Sequence, residues 1–112
     1  MLALVEKVEN VTVVVVNAAA LDANIADDFS RELAPVLKDC RQLVLDLHRV
    51  QFVDSRGCGT IISCLKRLSA ADGDLKLCQV SQPVRTVFEL IRLHRICEIL
   101  DTRQDAVRAF AK

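Results

Sequence analysis

The order of the secondary structure can be read outward from eight residues, Phe52-Val53-Asp54-Ser55-Arg56-Gly57-Cys58-Gly59. The apolar run that precedes them has the length of a buried strand: Leu43-Val44-Leu45-Asp46-Leu47. The residues that follow show the i, i+3, i+4, i+7 spacing of an amphipathic helix: Cys58, Ile61, Ile62, Leu65 and Leu68. Residues 52–59 therefore connect a strand to a helix, at the sheet edge where open α/β proteins form their sites.

Asp54 and Ser55 are expected to lie where this helix begins, and either side chain is suited to cap it. A serine at this position also exposes its hydroxyl beside backbone N–H groups and the positive end of the helix dipole, which favour a phosphate. Gly57 and Gly59 fall in the first turns, where stronger helix formers are normally preferred. Glycine here predicts that another element of the fold, or a partner protein, approaches the backbone closely.

Strand and helix patterns alternate along the rest of the chain, which gives the order ββαβαβαβα. Strands are predicted at residues 2–8, 11–16, 42–47, 75–80 and 97–100, where β-branched and other apolar residues cluster. The first two are close enough to form a hairpin. The fold class is therefore α/β, with a central and mostly parallel sheet, an N-terminal hairpin and about four helices.

The four helices are predicted between and after these strands. The first has apolar residues at every fourth position over residues 25–37, and Pro35 should kink it or end it early. The second covers about residues 57–71. The predicted caps are Asp22 for the first helix, Asp54 or Ser55 for the second, Ser81 for the third, and Asp101 or Thr102 for the last.

Composition excludes several classes of protein. The 112 residues carry 15 basic and 15 acidic side chains, and a net charge of zero argues against a nucleic-acid surface. The five cysteines are odd in number and lack CxxC spacing, so reduced, mostly buried thiols in a cytoplasmic protein are expected, without a zinc site. Every apolar run is shorter than the roughly 20 residues that cross a bilayer, so no membrane partner is expected.

With these motifs the sequence resembles the STAS domains, specifically the single-domain anti-sigma factor antagonists of bacterial partner-switching systems. The resemblance covers nearly the whole chain, residues 1–112, as one domain. Residues 52–59 are similar to the family pattern aromatic-x-D-S-[ST]-G-hydrophobic-G. Weaker agreement comes from Leu21-Asp22 and from residues 81–90, which match the start of the family's third helix.

The resemblance implies a phosphorylation switch. Ser55 would be phosphorylated by an anti-sigma factor that is also a serine kinase, and a serine phosphatase would restore it. The unphosphorylated protein would bind the kinase and release its sigma factor, although a STAS module can also control another output. The resemblance implies no catalytic residue, metal or cofactor, and it places the partner contacts at Asp22, Asp54, Ser55, Arg56, Gly57 and Cys58.

The sequence departs from the family pattern at three places. Arg56 replaces the usual small hydroxyl residue, and Cys58 replaces the usual leucine. Ala19 and Ala20 replace the Gly-Glu that often precedes Leu-Asp. These departures concern the identity of the partner more than the fold.

Two other kinds of chemistry remain as alternatives. A phospho-aspartate receiver domain could use Asp54, but such domains hold Mg²⁺ with carboxylates after the first strand, where this chain has Glu9-Asn10. An enzyme with Cys58 or Ser55 as nucleophile would need a base, and the only histidines are His48 and His94. A surface or helix-end position is the expected role of both histidines.

Overall fold

Residues 1–111, which the computed structural model describes, form seven strands and four α-helices. The strands are β1 Ala3–Val8, β2 Val11–Val16, β3 Ala20–Leu21, β4 Gln42–Asp46, β5 Phe52–Val53, β6 Asp74–Cys78 and β7 Glu98–Leu100. The helices are α1 Ala26–Asp39, α2 Ser55–Ala70, α3 Gln82–Leu90 and α4 Arg103–Ala109, and a 3-10 turn covers Leu93–Arg95. None of these helices has the length and apolar character that a membrane crossing requires.

Five of the strands form the central sheet in the order β1-β2-β4-β6-β7. Strands β1 and β2 form the predicted antiparallel hairpin, and the other neighbours are parallel, with Val14 opposite Leu45 and Leu45 opposite Leu77. Each parallel connection passes through one helix and moves to the next strand in the same direction. Because such crossovers are right-handed, α1, α2 and α3 all lie on one face of the sheet.

The hydrophobic core lies mainly between this face of the sheet and the three helices. Its largest side chains, all fully buried, include Phe29 of α1, Ile61 of α2 and Phe88 of α3. On the other face α4 packs alone, with Ala106 against Val13 and Val44 in a smaller cluster. The α/β class and the predicted order of helices and strands are therefore confirmed.

A second, two-stranded sheet was not predicted. It pairs β3 with β5 in parallel, with Ala20 opposite Phe52 and Leu21 opposite Val53. Its strands are only two residues long, so neither has enough residues to show an apolar period in the sequence. This small sheet holds the chain at the start of α2, directly beside the loop that leads into α1.

For the first helix, the predicted cap was wrong and so was the early end that Pro35 offered as one of two alternatives. Asp22 is not its N-cap, because α1 begins at Ala26 after Ile25 and the carboxylate of Asp22 instead accepts a hydrogen bond from the Asn24 N–H (3.1 Å). The helix also continues through Pro35 to Asp39 rather than ending early. The turn after Pro35 still packs apolar side chains against the core, which offsets the hydrogen bond that proline cannot donate.

The other caps follow the sequence more closely. Asp54, not Ser55, caps α2, and Thr102, not Asp101, caps α4 by accepting a hydrogen bond from the Asp105 N–H (3.0 Å). Ser81 occupies the N-cap position of α3, but its hydroxyl donates to the Val50 carbonyl oxygen (3.4 Å) instead of capping the helix. The side chain of Ser81 thus ties α3 to the loop before β5.

Candidate functional site

Asp54 joins two loops at the carboxyl edge of the sheet. Its Oδ1 accepts a hydrogen bond from the Gly57 N–H (2.9 Å), which caps α2, and its Oδ2 accepts one from the Ala23 N–H (2.9 Å), in the loop before α1. The Gly57 N–H, followed by the Ala23 N–H, holds the pKa of the Asp54 carboxyl below its usual value. A carboxylate with both oxygens bound to backbone amides is a structural cap, not a free phosphoacceptor.

Ser55 is the first residue of α2, and its side chain is exposed. The Ser55 hydroxyl makes no hydrogen bond within residues 1–111, so it is free to react. It lies on the rim of a shallow groove of about 300 Å³ between α1 and α2. The groove is lined by small and polar residues: Ala26, Asp27, Ser30, Ser55, Arg56, Gly59, Thr60 and Ser63.

Arg56 spans this groove. Its Nη2 lies 2.9 Å from the Oδ1 of Asp27 in the first turn of α1, and both side chains are exposed. An exposed ion pair of this kind contributes about 0–1 kcal/mol. The guanidinium is therefore held only weakly and can exchange Asp27 for another anion placed beside it.

The two glycines of the motif have different surroundings. A Cβ atom added to Gly57 would lie 1.9 Å from the carbonyl oxygen of Leu21, so β3 packs directly on the helix backbone there. A Cβ atom added to Gly59 would meet no described residue within 4 Å. The predicted close approach is thus made by the fold itself at Gly57, whereas the backbone at Gly59 is open to solvent along the groove.

The structure brings most of the predicted site residues together. Asp22 precedes Ala23, whose amide binds Asp54, so Asp22 lies at the same edge as Ser55 and Arg56. Cys58 does not join this surface, because only 4% of it is exposed and it packs in the core. Burial, and secondarily the charge of Asp54, raises the pKa of the Cys58 thiol, which opposes its use as a nucleophile.

Sequence reasoning missed a second polar centre at the same edge of the sheet, around Asp46 at the end of β4. Asp46 is completely buried. Its Oδ1 lies 3.0 Å from the backbone N–H and 2.8 Å from the Nδ1 of His48, and its Oδ2 accepts hydrogen bonds from Gln79 Nε2 (2.8 Å) and Arg103 Nη2 (3.2 Å). Arg103 also pairs with Glu6 of β1 (2.9 Å).

The chemistry of this centre is structural. Burial by itself raises the pKa of the Asp46 carboxyl, but the hydrogen bonds from His48 and Gln79 outweigh burial and leave the pKa below its usual value. Asp46 therefore stays charged and links β4 to the loop after β6 and to α4. The one signal in the sequence was an acidic residue inside an otherwise apolar strand.

The fold and this motif belong to a known family. A model of the STAS domain matches residues 3–106, and the chain belongs to this family. BtrV of Bordetella bronchiseptica, provisionally named as an anti-sigma factor antagonist, is 31% identical over 106 residues, which cover 94% of this chain and 90% of BtrV. The resemblance inferred from the residues around Ser55 is thus confirmed.

Solved structures of anti-sigma factor antagonists have the same fold as this chain. The crystal structure of tm1081 from Thermotoga maritima, also provisionally named as an anti-sigma factor antagonist, is 25% identical, with a TM-score of 0.89 over 98% of this chain and 95% of that one. The anti-sigma factor antagonist SpoIIAA in its unphosphorylated form is 20% identical (TM-score 0.81, 97% and 96% covered). The phosphorylated form of SpoIIAA, a Bacillus cell fate determinant, is 19% identical (TM-score 0.72, 96% and 98% covered). The chain therefore has the STAS fold of the anti-sigma factor antagonists.

Proposed function

We propose that this protein is an anti-sigma factor antagonist whose partner is an anti-sigma factor with serine kinase activity, and that phosphorylation of Ser55 ends the complex. The observation that carries the proposal is the exposed, unbonded hydroxyl of Ser55 at the start of α2, beside a groove. The STAS family and relatives named as antagonists support the same role. In this proposal the protein is a binding module without catalytic residues, metal or cofactor of its own.

In the unphosphorylated state the partner would pack along the groove between α1 and α2. The open backbone at Gly59 allows another chain to approach α2 without a steric clash. Asp22, Asp54 and Arg56 lie at the same edge of the sheet as Ser55 and offer charges of both signs to the partner. Gly57 and Cys58 contribute indirectly, because they fix the first turn of α2 against β3 and the core.

Phosphorylation would change the binding surface without unfolding the protein. A phosphate adds about −1.5 to −2 charges at neutral pH, and the N-terminus of a helix tolerates this charge. The added charge would lie next to the Asp54 carboxylate and at the rim of a groove that the partner fills. Repulsion and the desolvation of the phosphate then oppose the complex, and a serine phosphatase would restore binding.

The same chemistry serves a sigma factor or a different output, so the regulated process follows from the partner. A cytoplasmic location fits a kinase that consumes ATP and a phosphatase that reverses it. The receiver-domain alternative loses support from the hydrogen bonds that occupy both oxygens of Asp54. A nucleophilic enzyme is opposed by the burial of Cys58, and no histidine is among the described residues that line the groove beside Ser55.

Mass spectrometry tests the proposal directly. The protein would be incubated with ATP and the serine kinase of its own cell, followed by intact-mass measurement and fragmentation. We expect one phosphate, on Ser55, and none on the Ser55→Ala variant. Ser69→Ala is the matched control, because Ser69 is exposed on the same helix but does not line the groove, so its loss should leave the reaction unchanged. Phosphate on Ser63, Ser69 or Ser81 in place of Ser55 would contradict the proposal.

Calorimetric titration with the partner kinase tests whether a negative charge at position 55 weakens the complex. Ser55→Ala should bind it as the parent does, because the hydroxyl makes no bond that the fold requires and the cap is Asp54. Ser55→Asp should bind more weakly, since it places a negative charge at the same position. A folded Ser55→Ala protein that fails to bind would show that the hydroxyl itself is part of the interface.

A further inference from the structure

Seven consecutive residues from the end of α3 into the turn before β7, Leu90–Ile96, form a surface that the proposed switch does not use. We refer to these residues as the basic-apolar corner. Only Leu93 is buried, and the six exposed residues are three apolar and three basic ones: Leu90, Ile91, Arg92, His94, Arg95 and Ile96. Leu90 is 78% exposed, Ile96 58% and Ile91 46%. Three large apolar side chains that lie close together in the sequence are thus exposed to solvent, which is unfavourable unless a partner covers them.

The corner is an ordered part of the fold. Backbone hydrogen bonds run from the Ile91 N–H to the Val87 carbonyl oxygen (3.2 Å), from Arg95 to Arg92 (3.1 Å) and from Ile96 to Leu93 (3.0 Å). The side chain of Leu93, 1% exposed, anchors the corner in the core. Arg92 adopts a left-handed backbone conformation (φ 62°), which is uncommon for a residue with a side chain. The exposed residues are therefore presented on a fixed framework.

The second feature of the corner is its set of basic side chains, Arg92, His94 and Arg95. The ion pairs formed within residues 1–111 include no contact with Arg92, His94 or Arg95. One acidic residue, Glu89, precedes the corner on α3 and is also exposed. Cations interleaved with apolar side chains complement a surface that carries carboxylates around apolar residues.

We propose that the basic-apolar corner is a docking site for a partner protein that presents an acidic segment with apolar side chains. The apolar residues would supply the buried area and the arginines the register and the selectivity. The corner lies before the first residue of β7, at the amino edge of the sheet. Ser55 lies at the opposite, carboxyl edge, where α2 begins. A partner bound at the corner would therefore leave the groove beside Ser55 accessible.

The same residues fit a membrane surface less well. Binding in the plane of a bilayer requires a helix with a free apolar face. The apolar face of α3, with Val84 and Phe88, is already buried in the core. The exposed apolar side chains lie at the end of this nine-residue helix and in the turn after it, a shape that suits a protein partner.

The test is an NMR titration of the ¹⁵N-labelled full chain with a short synthetic peptide rich in glutamate and leucine. A peptide with lysine in place of glutamate, and vesicles of anionic and neutral phospholipid, complete the set of probes. We expect shift changes from the acidic peptide alone, centred on residues 90–96, and weaker binding when the salt rises from about 50 to about 300 mM. The variant Arg95→Glu with Ile96→Ser should weaken binding about tenfold or more.

The control variant is Arg41→Glu with Val5→Ser, which changes one exposed cation and one half-exposed apolar residue elsewhere. It should bind the acidic peptide as the parent does, and thermal unfolding should show that both variants are folded. Any one of four results would overturn the proposal: equal binding of the two peptides, shift changes centred on the groove beside Ser55, binding of vesicles without binding of the peptide, or self-association of the chain through residues 90–96.

Discussion

Asp46 ends β4 and Asp54 caps α2 at the same edge of the sheet, yet their surroundings differ. Asp46 is sealed from solvent, and it binds the side chains of His48, Gln79 and Arg103. Asp54 is partly exposed and accepts its two strongest hydrogen bonds from backbone amides of Gly57 and Ala23. Polar side chains bind the carboxylate of Asp46, whereas backbone amides bind that of Asp54 and the Ser55 hydroxyl makes no hydrogen bond within residues 1–111.

This difference explains why a site can form at one aspartate and not at the other. Backbone N–H groups bind both carboxylate oxygens of Asp54. The Ser55 hydroxyl beside it is therefore not needed to hold the fold, and it can be modified without loss of a hydrogen bond within residues 1–111. Around Asp46 the side chains of His48, Gln79 and Arg103 bind the same buried carboxylate. Replacing any of them should lower the stability of the fold. The predictions that follow probe this contrast, beginning with the largest expected effect.

Replacing Asp46 by alanine should cost about 2–4 kcal/mol of unfolding free energy, because a buried charge pair loses one member and the donors of Gln79 and Arg103 lose their acceptor. Urea unfolding followed by circular dichroism measures this loss. Asp28→Ala, at an exposed position in α1, is the control and should change the free energy little. A loss below about 1 kcal/mol for Asp46→Ala would mean that the buried centre is not a structural tie.

Alanine at the two glycines of the motif should have opposite effects on stability. Gly57→Ala forces a Cβ atom onto the backbone of β3 and should destabilise the fold by about 1–3 kcal/mol. Gly59→Ala meets open space and should stabilise α2 by up to about 1 kcal/mol, through helix propensity. The same urea titration measures both variants, and each serves as the other's control. Equal losses of stability would contradict the assignment of Gly59 to an open surface.

The acid limb of the stability curve should contain a contribution from each aspartate. Both have a pKa lowered in the folded state, so the stability they contribute is present above the unfolded value of about 4 and is lost as the pH falls through the lowered pKa. Asp46→Asn should therefore flatten the loss of stability below about pH 4. Unfolding midpoints measured between neutral pH and acid would reveal this. An unchanged acid limb would show that Asp46 is not the titrating group.

Arg56 should have the smallest effect on stability and a measurable effect on binding. Arg56→Ser breaks only the exposed pair with Asp27 and should alter the unfolding free energy by less than about 1 kcal/mol. If the guanidinium moves from Asp27 to the negative charge at position 55, Arg56→Ser should strengthen the release caused by Ser55→Asp. Partner affinities of the parent, both single variants and the double variant, at two salt concentrations, measure this coupling. Purely additive effects without salt dependence would remove Arg56 from the switch.

Local patterns in the sequence were enough to predict the main strands and helices and their order. The apolar run before residue 47 and the helical spacing after Cys58 gave β4, α2 and the position of the turn between them, and the alternation of patterns gave the sheet class. The exposure of Ser55 followed from its place in that turn. The resemblance to the family motif then predicted that this hydroxyl is the phosphorylated group.

The features that were missed depend on residues far apart in the sequence. Asp46 and Arg103 meet only because β4 and α4 pack together, and no local signal joins them. Asp22 has a favoured capping side chain, but the backbone turns once more before α1 begins, so Ile25 takes the N-cap position. Pro35 forbids one hydrogen bond, yet packing beyond it continues the helix. At Pro35, therefore, tertiary packing outweighed a correct local preference.

The sheet order has a consequence for how the protein folds. Because β1, β2, β4, β6 and β7 lie side by side in the order of their synthesis, each new strand can dock on a partner that already exists. A nascent chain can therefore build the sheet progressively, without waiting for a distant segment to close it. Residues 20–63, which contain β3, β5 and the groove beside Ser55, leave the ribosome before the last two strands. Ser55 would then reach its place at the start of α2 while the C-terminal part of the domain is still being made.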